Sequence, residues 1–220
     1  MVLDVNETLS DLDGLVGLFD EVGAGAEILR AWFAATLRDG FAITAAGGYA
    51  EFADIAVPTL FSMLSRVEAL RDDPQAAAER IVQAMAQLDL HPDVADGLRQ
   101  IRDADIRMVT LSNGSARVAE SLLERAGLRD LVERCLSVSD AGRWKPAPES
   151  YAYAADQCGV QPGEMALVAV HPWDIDGAHR AGLRTGWISR AGRSYPSFMC
   201  APDASGRDLP ELASILTGKR

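Results

Sequence analysis

Apolar residues follow two different rhythms along the chain. Met1 to Val5 is a very short apolar run broken by Asp4. It is too short for a helix and suits a buried strand that ends at an acid. From Ser10 to Leu90 the apolar positions recur at helical spacing instead. Ile28, Trp32, Phe33 and Leu37 form one stripe, Leu60, Met63, Leu64 and Val67 a second, and Ile81, Ala84, Met85 and Leu88 a third. This spacing predicts a helical bundle whose first helix stops near Gly40. A loop is expected at Gly47, Gly48 and Tyr49, and a further helix begins at Pro58.

From His91 onward strands and helices alternate. IRMVTLS, a short stretch near Leu136 to Val138, MALVAV and RTGWIS read as strands. HPDVADGLRQIRDAD, GSARVAESLLERAGL, PAPESYAYAADQCGV, DIDGAHRAGL and ELASILTG read as helices. Such alternation predicts an α/β fold with a doubly wound, Rossmann-like parallel sheet. The near-continuous apolar run MALVAV fits a sheet covered on both faces. The strand at Met1 to Val5 stands far from the other strands in sequence. The economical organisation is an α/β core of residues 1–10 and 91–220 with an inserted helical domain of residues 11–90.

Composition narrows the setting. The chain has 220 residues, 48% hydrophobic and 24% charged, enough for a large core and too apolar for wholesale disorder. Lys and Arg number 21 against 32 Asp and Glu, a net charge of −11. That balance speaks against nucleic acid or an anionic membrane as partner. Cys135, Cys158 and Cys200 are scattered without a CxxC pair, which fits a reduced, cytoplasmic setting. The acidic start, MVLDVNETLSDLD, is not expected to act as a signal peptide. No apolar run reaches the length of a transmembrane helix.

Ligands of open α/β sheets bind beyond the carboxyl ends of the strands. Asp4, Asn6 and Thr8 lie at the end of the first strand, and Ser112 and Asn113 at the end of IRMVTLS. Lys145 lies in the loop RWKPAP, while His171, Trp173 and Asp174 follow MALVAV. A carboxylate such as Asp4 can serve as a nucleophile if a nearby ammonium such as Lys145 keeps it ionised. Thr8 offers a hydroxyl to that carboxylate or its loop. Asp174 offers a second carboxylate to orient a water or Lys145. Ser112 and Asn113 precede a helix and either bind an anion there or cap it. His171 reads as a donor to substrate or as a loop residue.

These residues also carry a family resemblance. Asp4-x-Asn6-x-Thr8, LSNGS, Lys145-Pro146 and WDIDGA at Trp173 to Ala178 resemble the four motifs of the haloacid dehalogenase superfamily. The helical insertion resembles that family's cap domain. Within the superfamily the chain is most similar to the L-2-haloacid dehalogenases of type II, through TLSNGS, the KPxxxxY run to Tyr151, WDxxGA and WIxRxG. The resemblance implies an enzyme that needs no cofactor and no metal and acts on a small anionic substrate, a short 2-haloacid. Asp4 displaces the halide through an aspartyl ester, which a water placed by Lys145 and Asp174 then hydrolyses. It further implies a halide cradle at Asn113 and Trp173, an aromatic pocket wall at Phe52, and a homodimer as the common state.

Phosphatases of the same superfamily form the alternative reading. They carry an Asp two residues after the nucleophile and an acidic pair for Mg2+, whereas here those positions hold Asn6 and Val170. A catalytically weak small-acid-binding relative is a third reading. It is motivated by Phe33, which stands where the dehalogenases carry a halide-binding Arg. Arg38, five residues on, is the candidate replacement.

Overall fold

The structure is a computed structural model that describes residues 1–218; the last two residues of the expected core, 219 and 220, lie outside the described residues. Six strands form one parallel sheet: β1 (Val2–Leu3), β2 (Val109–Ser112), β3 (Arg134–Ser137), β4 (Ala166–Ala169), β5 (Arg184–Ile188) and β6 (Ala204–Gly206). Their order is β3-β2-β1-β4-β5-β6. The winding reverses at β1, so the residues after β1 lie at the switch point where such sheets bind ligands. Leu3 pairs with Thr110 of β2 and Val168 of β4, which fixes Asp4 between them.

The pleat sends alternate residues to opposite faces. Val2, Leu111, Leu167 and Ala169 join one apolar cluster, and Leu3, Val5 and Val168 join the other. Both faces are covered, which explains why MALVAV shows no polar alternation. The second cluster packs on α5 (Val94–Asp103), α6 (Ala116–Arg125) and α9 (Leu209–Thr217). The first packs on α7 (Pro148–Cys158) and α8 (Pro172–Arg180). It continues without a break into the helices between β1 and α5. These are α1 (Val16–Glu21), α2 (Gly25–Ala45), α3 (Phe52–Leu64) and α4 (Pro74–Ala84).

The chain leaves the sheet region and returns to it side by side. Ser10 and Leu90 bridge in antiparallel fashion, the Asp11 amide donates to the Asp89 carbonyl at 2.8 Å, and the His91 amide donates to the Leu9 carbonyl at 2.9 Å. No described helix is long and apolar enough to cross a membrane.

Three expectations need correction. Gly40 does not end a helix, because α2 runs through it to Ala45. A Cβ at Gly40 would lie 2.4 Å from the Trp144 ring, so the missing side chain makes room for the indole rather than for a turn. Pro58 lies inside α3, not at a helix start. The carbonyl its missing N–H orphans belongs to Asp54, and both residues are exposed, so the kink-prone position faces solvent rather than the core. The strand β6, with the sequence Ala-Ser-Gly, carries no apolar signal and was not expected.

Candidate active site

The strand ends converge on Asp4. Lys145 is fully buried and its Nζ donates to Asp4 Oδ1 at 2.8 Å and to Asp174 Oδ2 at 2.6 Å. Thr8 Oγ1 donates to Asp4 Oδ2 at 2.6 Å and accepts from the Val170 amide at 3.1 Å. One hydroxyl thus ties the nucleophile candidate to the end of β4. Tyr151, buried on α7, donates to Asp174 Oδ1 at 2.6 Å. Asp174 therefore has a partner on each oxygen and is held rigidly toward Lys145. Gly177, one turn later on α8, leaves space that a Cβ would deny to Pro146 and the Tyr151 hydroxyl.

Asn113 works through the backbone. Its Nδ2 donates to the Lys145 carbonyl at 3.1 Å, and its Oδ1 accepts from the Lys145 amide at 2.8 Å. The pair clamps the peptide that carries the ammonium. Ser112 Oγ accepts from the Gly114 amide at 2.9 Å. Neither residue caps α6, because Ser115 does so by accepting from the Arg117 amide at 3.2 Å.

The electrostatics follow from burial and one shared cation. Burial pushes the Asp4 carboxyl up, but Lys145, His171 and the Thr8 hydroxyl outweigh it and hold Asp4 below its ordinary value. Burial also dominates at Asp174, and there, with Asp4 adding to it against Lys145, the carboxyl is raised. Burial works against the Lys145 ammonium, yet Asp174 and Asp4 together raise its pKa. The site therefore keeps Asp4 ionised and Lys145 charged while making Asp174 the more easily protonated carboxyl.

The other expected residues surround this centre. His171 Nε2 lies 3.0 Å from the Asn6 carbonyl and 3.7 Å from Asp4 Oδ2. Trp173 stacks on the His171 ring at 5.0 Å, and Lys145 Nζ lies 5.9 Å from its centroid. Phe52 is buried against Trp144, ring on ring at 5.9 Å. Asn6, Phe52 and Ser112 line a cavity of about 140 Å³. Glu7, Phe33 and His171 line another of about 410 Å³.

Arg38 is not part of this assembly. It is exposed, and its Nε donates to the neighbouring Asp39 at 2.8 Å. Its place on α2 turns it to solvent, while Phe33 on the buried face of the helix points at Phe52 and His171. The position that the resemblance reserves for an Arg is filled by an aromatic ring, and Arg38 does not replace it.

Two contributors were not singled out from sequence. Trp144 is buried, its indole N–H donates to the Ala50 carbonyl at 3.0 Å, and its amide donates to Thr44 Oγ1 at 3.2 Å. It fastens the Lys145 loop to α2. Glu7 brings a carboxylate to 3.7 Å from His171 Nε2. Its non-glycine backbone at φ 60 was not legible in sequence. Among the described residues, no group of three His, Cys, Asp or Glu side chains is arranged to hold a metal ion.

Known proteins resemble the whole chain. A family model described as haloacid dehalogenase-like hydrolase matches residues 1–182. The chain is 32% identical to an (S)-2-haloacid dehalogenase 4A of Burkholderia cepacia, over 91% of this chain and 87% of that protein. It is 25% identical to haloacetate dehalogenase H-2 of a Moraxella species, over 92% of this chain and 91% of that one. A crystal structure of a dehalogenase with an intermediate complex, 29% identical, superposes with a TM-score of 0.89 over all of this chain and 96% of the other.

Proposed function

Because this chain belongs to the haloacid dehalogenase-like hydrolases, we propose that it releases halide from short 2-haloalkanoic acids through a covalent ester on Asp4. The observation that carries this reading is the Lys145 ammonium between Asp4 and Asp174, with the non-titrating Asn6 two residues beyond the nucleophile. An ionised Asp4 attacks the halogen-bearing carbon from the side opposite the halogen. The carbon–halogen bond breaks, the halide leaves with the electron pair, and an ester oxygen bridges carbon and Asp4. A water oriented by Lys145 and Asp174 then adds to the Asp4 carboxyl carbon. Asp174 accepts the proton that the water loses, the bond between the Asp4 carboxyl carbon and the ester oxygen breaks, and that oxygen leaves with the electron pair and takes up a proton as the hydroxyl of the product. A 2-hydroxy acid of inverted configuration is released and Asp4 is restored.

The remaining roles follow from position. Ser112 and the loop amides hold the substrate carboxylate, Trp173 borders the halide, and Asn113 acts through the Lys145 peptide that it clamps. Asn6 and Phe52 bound the smaller cavity. Tyr151 acts through Asp174. The helices α1–α4 form a cap over the crevice, entered and left at the paired strands of Ser10 and Leu90. A cytoplasmic homodimer completes the reading.

The test is a halide-release screen over chloro-, bromo- and fluoroacetates and both enantiomers of the 2-halopropionates, in the presence of EDTA. Release that persists with EDTA and disappears in Asp4→Asn is expected. Turnover abolished by EDTA, or Mg2+-dependent release of p-nitrophenol from its phosphate, overturns the proposal in favour of a phosphatase.

A further inference from the structure

Two groups fix the rotation of the Asp4 carboxylate. Its χ2 torsion joins a tetrahedral to a planar carbon, and such torsions are soft. Lys145 anchors Oδ1 and the Thr8 hydroxyl anchors Oδ2. Thr8 lies in the turn after β1, outside the strand ladder, so its backbone is held by other means.

Two peptide planes flank Thr8, and a side chain from outside the turn holds each. The His91 ring nitrogen Nε2 lies 3.0 Å from the Glu7 carbonyl and donates to it, since a carbonyl only accepts. Arg190 Nη2 donates to the Thr8 carbonyl at 2.9 Å. The Leu9 amide of that same peptide donates to the Val5 carbonyl at 2.8 Å. Threonine is branched at Cβ and has few rotamers, so a fixed backbone aims its hydroxyl.

Arg190 is itself held in place. Its Nη1 donates to Asp93 Oδ1 at 2.6 Å, and Asp93 Oδ2 accepts from the Leu209 amide of α9 at 2.9 Å. Both side chains are mostly buried, 21% and 17% exposed. The planar guanidinium presents donors in fixed directions, so one side chain serves the carboxylate and the carbonyl together.

The same segment reaches the other partner of the Thr8 hydroxyl. Trp187 is buried, and its indole N–H donates to the Val170 carbonyl at 3.0 Å. Val170 is the residue whose amide donates to Thr8 Oγ1. The WIxRxG segment at Trp187 to Gly192 thus grips Val170 with its Trp and Thr8 with its Arg. We propose that Arg190 is a positioning residue for the nucleophile. It holds the Thr8 peptide against Asp93, so that the Thr8 hydroxyl stays on Asp4 Oδ2. The inference rests on the dehalogenase reading for the reaction it serves, while the brace itself is measured without substrate.

The first measurement is backbone amide exchange, followed by NMR of the full chain without substrate. The Val170 amide reports the Thr8 hydroxyl. The Val138 amide, which donates to the Ser112 carbonyl at 3.0 Å, is the control. In Arg190→Met the Val170 amide is expected to exchange about tenfold faster, with Val138 unchanged. Arg190→Lys keeps a cation for Asp93 but loses the fork. It is expected to hold the urea midpoint of wild type and still lose the Val170 protection. The second measurement is halide release. Arg190→Met is expected to lower kcat about tenfold to a hundredfold, with KM within about twofold of wild type. In a Thr8→Val background no hydroxyl remains to be aimed. There Arg190→Met should change the remaining single-turnover rate by less than about twofold. Wild-type exchange at Val170 in both Arg190 variants overturns the proposal. Equal acceleration at Val138, or an equal rate loss in both backgrounds, also overturns it. If wild type releases no halide from any haloacid but Val170 loses protection as expected, the brace stands and the dehalogenase reading falls.

Discussion

One wall of the crevice comes from the strand ends and the other from α2 and α3, and the two differ in where their polar atoms go. On the sheet side, Asp4, Thr8, Asn113, Lys145, Tyr151 and Asp174 turn inward and bond one another. On the side of the inserted helices, Phe33, Leu37 and Phe52 turn inward, while Arg38 pairs with Asp39 outside. Thr36 spends its hydroxyl on the Trp32 carbonyl of its own helix. The difference shows a division of labour. The sheet side holds charge in place, and the helical side excludes water so that those charges act at close range. Trp144 joins the two, because it belongs to the Lys145 loop yet bonds the Ala50 carbonyl and lies against Gly40.

Removing the cation attacks the polar wall most severely. Lys145→Met leaves two buried carboxylates facing each other without compensation, and a loss of about 3–5 kcal/mol is expected in urea titrations. Wild type should also respond to pH through the same charges. Asp4 is held below its ordinary 3.8, so its pairing supports the fold above pH 3.8 and is lost as the pH falls through the lower folded value. Lys145 is held above its ordinary 10.5, so its contribution is whole below pH 10.5 and is lost as the pH rises through the higher folded value. Asp174 opposes the first effect, since a raised carboxyl withdraws stability as the pH climbs past 3.8. Acid and alkaline unfolding of wild type, compared with Lys145→Met, measures these limbs, and the alkaline one should shrink in the variant.

Smaller effects probe the other wall and the joint. Gly40→Ala drives a methyl group into the Trp144 ring, and a loss of about 1–3 kcal/mol in thermal melts is expected, with weaker activity because the Lys145 loop shifts. Arg38→Ala should change stability by less than about 0.5 kcal/mol and leave halide release unaltered. A clear loss of activity in Arg38→Ala would mean that the helical wall does lend charge to the crevice.

The sequence revealed most of the polar wall because each of its residues directly follows an apolar run. Asp4 after Met1–Leu3, Ser112 and Asn113 after IRMVTL, and Asp174 just past MALVAV are readable from one short window each. Lys145 was marked only by its place in the loop RWKPAP, and Tyr151 required the family resemblance, because no local rule marks it. The helical wall was less legible. Gly40 resembles a helix stop, and its actual partner, Trp144, lies far away in sequence. Pro58 resembles a helix start, and only the exposure of Asp54 and Pro58 explains its place inside α3. Arg38 and Phe33 share α2, and which of them faces inward depends on how that helix is rolled against the sheet. Glu7 was passed over because its left-handed backbone has no sequence signal without glycine.

The central claim is that Asp4 carries the organic group as an ester that water opens at the enzyme's own carboxyl carbon. It is tested most directly by a single turnover in H2(18)O with enzyme in excess over (S)-2-chloropropionate. The account predicts one 18O atom in the peptide that contains Asp4 and an unlabelled hydroxyl oxygen in the lactate. Label in the lactate hydroxyl, with none in Asp4, would mean that water attacks the substrate carbon directly, and would contradict it.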